Sequence, residues 1–325
     1  MYFSKIVALG AGLIFSGVGG AVAQTEITFG HVGEPGSLLA QSAEEFARRA
    51  NERLGDQAEV VVYGSSQLGS DQSMMQKLRL GTVDLALPSS IMSSQIPIFG
   101  LFDLPYLVED REHMARIRDE IVMPDMAPVA EGSGFPILAV WENGFRQITN
   151  NSRPIVTPED LQGIKLRTPS GEWRVKMFRT YGATPSPMAF SEVFVALQTG
   201  AMDGQENPYA QIYPSRLYEV QDYLSISNHV YIPAYVVAGR SFQSFAPDVQ
   251  DVLRETAVEM QPVVYEIAAR LDEELLQSLR DEGMQVNEVD TQAFVDASAP
   301  IYEEFGNTIE GSQDLIDRAR ALAGE

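Results

Sequence analysis

The chain has 325 residues, of which 45% are hydrophobic and 21% are charged, values typical of a soluble globular protein with about two domains. It contains no cysteine, which excludes disulfides, thiolate chemistry and cysteine-ligated metals. The net charge of −22 argues against nucleic acid or an anionic membrane surface as a partner, because both are themselves negative.

The first 23 residues have the organisation of a secretory signal peptide. Lys5 gives a positive start, residues 6–22 form an uncharged apolar run, and Ala21-Val22-Ala23 has the small-x-small pattern of a cleavage site. We therefore expect residues 1–23 to be removed and the mature protein, beginning near Gln24, to be soluble and exported. A retained anchor is the alternative, but the run is short and glycine-rich, and no later stretch offers the roughly 18 apolar residues of a membrane span.

The first half of the mature chain alternates strand and helix patterns. Residues 26–31, 58–63 and 83–87 have the composition of strands. Two helices are predicted between them, from Ser37 to Gly55 and from Ser70 to Gly81, each with a serine cap and a terminal glycine. This β-α-β-α-β order predicts a parallel sheet covered by helices.

The second half repeats this organisation, with a strand at residues 164–167, a helix at 171–181 and a further helix that ends at Gly200. Residues 78–84 and 197–203 also match, since both have a helix end, a glycine and an aspartate that enters a strand. Coincidence between two ordinary helix ends is the alternative. Together with the shared element order, the match suggests two lobes of similar build.

From Pro247 to Gly283 the apolar residues keep a helical spacing. A helix of about 35 residues would be about 50 Å long at 1.5 Å per residue, longer than a small domain, so we expect it to lie across both lobes. Pro262 lies inside this run and predicts a kink or a split into two helices. A strand at 285–289 and helices within 291–323 complete the chain.

No catalytic, metal-binding or cofactor-binding motif is found in the sequence. A Gly-x-Ser-x-Gly elbow, a His-Glu-x-x-His zinc motif, EF-hand spacing and a phosphate loop are absent. His31, His113 and His229 are far apart; folding could bring His31 and His229 together, but a hydrogen-bonding role is the simpler interpretation. We therefore predict that the protein is not an enzyme and has no catalytic residue, metal or cofactor.

Polar side chains follow several predicted strands. Arg146 and Arg167 each stand at the end of a strand, and Asn207 lies in a turn. Ligands of open α/β sheets bind beyond the carboxyl ends of strands, and an arginine there can bind a carboxylate through two parallel hydrogen bonds that lysine cannot reproduce. A structural ion pair with one of the 45 acidic residues is the alternative for each arginine.

Seven segments spread over nearly the whole mature chain carry a resemblance to a known family. The most specific is the run ALQTGAMDGQENP at residues 196–208, and the others lie at residues 65–69, 81–84, 102–106, 143–146, 159–167 and 187–193. In this order they resemble the DctP-type solute receptors of tripartite ATP-independent periplasmic (TRAP) transporters.

The resemblance implies a receptor that closes around its ligand and delivers it to a membrane permease pair driven by a sodium gradient. It implies that Arg167 binds the ligand carboxylate, that Arg146 assists and that Asn207 completes the anion site. Phe190 is similarly placed to line the pocket.

The rest of the pocket is less defined by the resemblance. Many relatives have an acid or amide where this chain has Ser89, and Glu34 is the only acid in the turn at residues 31–36. Trp173 follows the arginine loop and either packs on the ligand or fills the core. Because hydroxyls suit a polyol tail, we expect a sugar acid or a short hydroxy acid as the ligand.

The resemblance further implies an α/β, two-lobed fold of the periplasmic-binding-protein type, with a mostly parallel sheet flanked by helices in each lobe and a long helix that spans both. We expect lobe I to comprise residues 24–145 and about 233–270, and lobe II residues 146–232 and about 271–325. A monomer is expected, because such a receptor must open and dock.

Other functions remain open at this stage. A receptor of the same fold could serve an ATP-driven importer or a sensor kinase, and a secreted enzyme could act on an organic acid. A purely structural export protein would explain neither the paired arginines nor the motifs.

Overall fold

The computed structural model describes residues 24–324, so the predicted signal peptide lies outside the described residues. The strands are β1 (Thr25–Gly30), β2 (Ala58–Tyr63), β3 (Leu85–Ala86), β4 (Ile137–Phe145), β5 (Gln147–Asn150), β6 (Lys165–Thr168), β7 (Thr184–Pro187), β8 (Gly204–Asn207), β9 (Tyr223–Ile226), β10 (Tyr231–Ala238) and β11 (Gln285–Glu288). The α-helices are α1 (Leu38–Leu54), α2 (Asp71–Leu80), α3 (Met92–Gln95), α4 (Arg111–Ile117), α5 (Ala127–Gly132), α6 (Glu172–Thr180), α7 (Val193–Gln198), α8 (Tyr209–Ile212), α9 (Pro247–Asp281), α10 (Thr291–Ala297), α11 (Ala299–Thr308) and α12 (Ser312–Ala321). A 3₁₀ helix, Pro97–Asp103, lies between α3 and α4.

The first sheet has the strand order β2-β1-β3-β10-β4. β1 pairs in parallel with β2 and with β3, because α1 and α2 supply the crossovers that parallel strands need. β10 lies between β3 and β4 and is antiparallel to both. The first half of the chain therefore builds this sheet together with one strand from later in the sequence.

The second sheet has the strand order β11-β9-β5-β8-β6-β7. β6 is parallel to β7 and to β8, and β11 is parallel to β9. β5 lies between β8 and β9 and is antiparallel to both. The predicted α/β fold with two separate sheets is confirmed.

Side chains of α1 and of the strands β1 and β4 form the core of the first sheet. Ser37 caps α1, since its hydroxyl accepts a hydrogen bond from the Ala40 amide. Phe46 of α1 packs edge to face on Phe29 and Trp141, with ring centroids 5.3 and 5.8 Å apart. Such pairs stabilise a core beyond the area that they bury.

The long helix α9 contacts α1 and β4 on the side of the first sheet and α8 on the side of the second, so the predicted helix across both lobes is confirmed. Of the kink or split predicted at Pro262, the split does not occur, because α9 runs unbroken through it. Pro262 is exposed, and the Val258 carbonyl that it leaves without an amide partner belongs to a residue that is 49% exposed, where water can satisfy it. Among residues 24–324, no helix has the length and apolar character needed to cross a membrane.

Two short backbone segments connect the two sheets. Arg146 alone separates β4 of the first sheet from β5 of the second, and residues 227–230 connect β9 to β10. The Arg146 amide donates to the Val230 carbonyl at 3.0 Å, so the two crossings lie side by side. We call these two segments the crossings.

Candidate ligand site between the sheets

A cleft lies between the two sheets and receives side chains from both. The cavity within it has a volume of about 80 Å³. Its lining includes Asp71, Ser89, Ser90 and Asn143 from the first half of the chain, and Arg146, Arg167, Phe190 and Asn207 from a crossing and the second sheet. Five of the seven predicted site residues therefore meet in one cleft.

The strand register explains why the polar residues meet. β6 pairs in parallel with β8, so that Arg167 lies opposite Gln205, two residues before Asn207. β5 is antiparallel to β8 and places Gln147 opposite Asn207, which brings the preceding residue, Arg146, to the same edge. The carboxyl ends of β6 and β8 coincide at this edge, where ligands of α/β sheets bind.

The Arg167 guanidinium faces the cleft and, among the described residues, hydrogen bonds to no acidic side chain. Its Nε and Nη2 atoms donate to the Met188 carbonyl oxygen at 3.0 and 2.6 Å, and its Cζ atom lies 5.9 Å from the centroid of the Phe190 ring. Arg167 is only 3% exposed. Burial, together with the nearby Arg146, lowers its pKa to about 10, so it stays charged at neutral pH. A buried cation in this environment favours an anion beside it.

Arg146 also lines the cleft, but an internal acid, Glu206, holds it in place. Arg146 Nε donates to one Glu206 carboxylate oxygen, and its Nη2 atom donates to the other and to Asn207 Oδ1, both at 3.0 Å. For each arginine the sequence allowed either ligand binding or a structural ion pair with an acidic residue, and Arg146 forms such an ion pair. It fixes the position of Arg146 at the edge of the cleft.

Arg174 and His229 also contact the Glu206 carboxylate. Its Oε2 atom accepts from Arg174 Nη1 at 2.8 Å and lies 3.1 Å from His229 Nε2. Burial alone would raise the pKa of Glu206, but Arg146 and Arg174 outweigh it and hold the pKa well below the usual range. Burial lowers the pKa of His229, although the adjacent Glu206 carboxylate opposes the decrease. The sequence analysis missed Glu206, whose neighbour Asn207 was the predicted ligand group.

The amide side chains of the cleft hydrogen bond to one another. Asn207 Nδ2 donates to Gln205 Oε1 at 2.5 Å, and Asn143 Nδ2 donates to Ser89 Oγ at 3.4 Å. Gln211 Nε2 in turn donates to Asn143 Oδ1 at 3.4 Å. The Gln211–Asn143 bond thus joins the two sides of the cleft, while Asn207 and Ser89 are each held by a neighbour on their own side.

Asp71 is a cleft residue that the sequence analysis missed. It lies in the first turn of α2, and its buried Oδ1 atom has no hydrogen-bond partner within residues 24–324. Burial raises the pKa of Asp71 to about 6, and Arg167 opposes this increase. Ser90 Oγ is likewise buried and unpartnered in this part of the chain. An acid directly after a serine cap, beyond the carboxyl end of a strand, was the sequence signal that could have identified Asp71.

Two predicted site residues lie elsewhere. Glu34 accepts a hydrogen bond from Ser65 Oγ at 2.7 Å and lines a neighbouring groove. Trp173 is 2% exposed and packs edge to face on Phe305, with ring centroids 4.9 Å apart. Of the two roles left open for Trp173, the structure places it in the core. Within the described residues, no group of three or more His, Asp or Glu side chains is arranged to hold a metal ion.

Residues 29–308 match the family described as bacterial extracellular solute-binding protein, family 7, or DctP. The 2,3-diketo-L-gulonate-binding periplasmic protein YiaO of Escherichia coli (strain K12) is 31% identical over 300 residues, which cover 91% of this chain and 92% of that protein.

Two crystal structures of TRAP periplasmic solute-binding proteins are closely similar in fold. The protein from Polaromonas sp. JS666, bound to D-erythronate, has a TM-score of 0.89 and 30% identity, with 93% of this chain and 100% of that chain covered. The protein from Sulfurospirillum deleyianum DSM 6946, with bound succinate, has a TM-score of 0.88 and 32% identity, with 92% and 99% covered.

Proposed function

The chain belongs to the DctP family of TRAP periplasmic solute-binding proteins, and from this membership we propose that it captures a small hydroxylated carboxylate, a sugar acid or hydroxy acid, for a membrane permease. Proteins of this family are receptors rather than enzymes. The proposal therefore concerns which solute is bound, by which side chains and with what change of shape.

The observation that carries the proposal is the environment of the Arg167 side chain in the cleft. Its guanidinium is buried in the cleft, and within residues 24–324 only a backbone carbonyl accepts its hydrogen bonds. A carboxylate at about 2.7–2.9 Å would form charge-assisted bonds there. The overall charge of −22 does not prevent this, because surface charges beyond about 8 Å are largely screened at physiological salt.

Asp71 and Ser90 support the hydroxylated part of the proposed ligand. Both offer a buried oxygen without a protein partner in the described chain, and a ligand hydroxyl would donate to Asp71. A dicarboxylate would bring a second negative charge near the same carboxylate, which opposes its binding. The cleft therefore favours a ligand such as the D-erythronate of one similar structure over the succinate of another.

We further propose that the lobes, residues 24–145 with about 233–270 and residues 146–232 with about 271–325, close over the ligand by bending at the crossings. Export to the periplasm is supported by the signal-like start of the chain and by the periplasmic relatives. The receptor would act as a monomer and deliver its ligand to the permease subunits of a TRAP transporter.

A thermal-shift screen of organic acids tests the proposal most cheaply. An acid at about 100 times its dissociation constant stabilises the fold by about 2.7 kcal/mol, so hydroxylated monocarboxylates should raise the melting temperature and plain dicarboxylates should do so less. Matched polyols without a carboxylate are the control. Stabilisation by the polyols but not by the acids would contradict the proposal. Turnover of a bound acid would favour an enzyme, and an adjacent ATP-driven importer would favour another transport system.

A further inference from the structure

Arg174 of α6 is a fully buried cation that joins parts of the chain anchored on different sheets. Its Nη2 atom donates to Asp103 Oδ1 at 2.7 Å, and its Nη1 atom donates to Glu206 Oε2 at 2.8 Å. None of the three residues is more than 2% exposed. One guanidinium thus satisfies two carboxylates that come from different lobes.

Asp103 is fixed to the first sheet. It ends the 3₁₀ helix Pro97–Asp103, which packs on β10, and Phe99 of that helix lies edge to face on Tyr235 of β10 at 5.2 Å. α6 packs on β6 and β7 of the second sheet and also on this 3₁₀ helix. The Asp103–Arg174 ion pair therefore lies in a packed interface between elements of the two sheets.

Hydrogen bonds also link Arg174 to the ligand cleft. Glu206 binds Arg174 and also Arg146, which is itself one crossing and lines the cleft. His229 of the other crossing lies against the same carboxylate. A chain of bonds thus leads from Asp103 through Arg174 and Glu206 to the arginine at the cleft edge.

The fit at the lobe interface is tight. A methyl group added at Gly171 would lie 3.2 Å from Asp103 Oδ2 and 2.8 Å from Ser93 Oγ. Asp103 Oδ2 has no hydrogen-bond partner in residues 24–324, so Arg174 alone among the arginines and lysines there compensates its charge. Separation of the lobes would admit water to Asp103. Removal of Arg174 would leave the Asp103 carboxyl buried without its cation while the lobes are together, and because burial already raises its pKa, it would take up a proton.

We propose that Arg174 is a positioning residue for ligand capture, because its ion pair with Asp103 forms a second inter-lobe contact that stabilises the closed arrangement of the cleft. Arg174 does not touch the ligand, but keeps the lobes together and Glu206 in place while Arg146 and Arg167 face the anion. This inference rests on the proposed function for its ligand and goes beyond it by assigning a residue outside the cleft.

Rapid-mixing kinetics with the best acid from the screen test the proposal. Because the proposed role of the ion pair is to hold the lobes closed, Arg174→Met should raise the dissociation rate at least about tenfold and leave the association rate unchanged. Arg174→Lys keeps the charge but loses the planar set of N–H donors, so its dissociation rate should lie between those of the wild type and Arg174→Met. Arg179→Met, an exposed position on the same helix, is the control. Unchanged rates with only a lower melting temperature would show a merely structural ion pair and overturn the proposal.

A second measurement separates this proposal from the choice of ligand. The chain has no cysteine, so Gln76→Cys and Gln198→Cys, both exposed and in different lobes, accept a pair of spin labels. Without ligand, Asp103→Asn and Arg174→Met should reduce the population at the short, closed distance relative to the parent. Equal distance distributions in all three proteins would overturn the proposal, even if no acid binds the parent and the proposed function fails. Where Arg174→Met does not fold, Asp103→Asn gives the same comparison.

Discussion

Replacement of Asp71 by asparagine is the perturbation with the most specific expected outcome. Burial raises the pKa of Asp71 from its ordinary 3.8 to about 6. At about 1.4 kcal/mol per pKa unit, the ionised carboxylate then destabilises the fold by at most about 3 kcal/mol. Between about pH 4 and pH 6 the folded state binds more protons than the unfolded chain, so stability falls as pH rises through this window. Asp71→Asn removes this fall and is more stable than the wild type above about pH 6.

The same variant changes the choice of ligand. Asparagine keeps an acceptor oxygen but loses the charge, so the affinity for a hydroxy acid such as D-erythronate should fall by about 1.5–3 kcal/mol, the range for hydrogen bonds to charged groups. Succinate should bind better, because a like charge has been removed. The preference between the two acids therefore shifts towards the dicarboxylate.

Urea unfolding at pH 4 and pH 7.5 measures the first effect, and titration calorimetry with the two acids measures the second. Asp248→Asn is the matched control, since Asp248 also lies in the first turn of a helix but is exposed. An equal stability difference at both pH values, with the preference between the acids unchanged, would refute the role given to Asp71.

Three further outcomes are expected. Arg167→Lys keeps the charge but loses the two parallel donors, so calorimetry should show at least about tenfold weaker binding, with Arg179→Lys unchanged. Glu206→Gln leaves two buried guanidinium groups without their shared carboxylate, and urea unfolding should show a loss of about 3–5 kcal/mol, against less than about 0.5 kcal/mol for the exposed Glu303→Gln. Trp173→Phe should lower stability by about 1–3 kcal/mol without altering affinity; a selective loss of affinity would place Trp173 in the ligand site after all.

Local features of this fold could be predicted because local sequence determines them. α1 and α2 begin after Ser37 and Ser70, whose hydroxyls accept hydrogen bonds from backbone amides three residues on. Gly81 ends α2 with a φ of 73°, a left-handed conformation that glycine adopts without strain. Arg167 was predicted from its position at a strand end, which the parallel register of β6 and β8 then brings to the cleft.

Features that depend on distant contacts could not be predicted from the sequence alone. β10 enters the first sheet between β3 and β4, and no local pattern specifies that insertion. Glu206 pairs with Arg146 across 60 positions, and Asp71 meets Arg167 only in a cleft that distant parts of the chain line together. The continuity of α9 at Pro262 depends on exposure of that turn to solvent.

The most direct test of the account is a crystal structure of the protein with the acid that the screen identifies. The account predicts a carboxylate oxygen about 2.7–2.9 Å from the Arg167 guanidinium and a ligand hydroxyl that donates to Asp71. A ligand bound outside the cleft, with Arg167 still bonded only to the Met188 carbonyl, would contradict it.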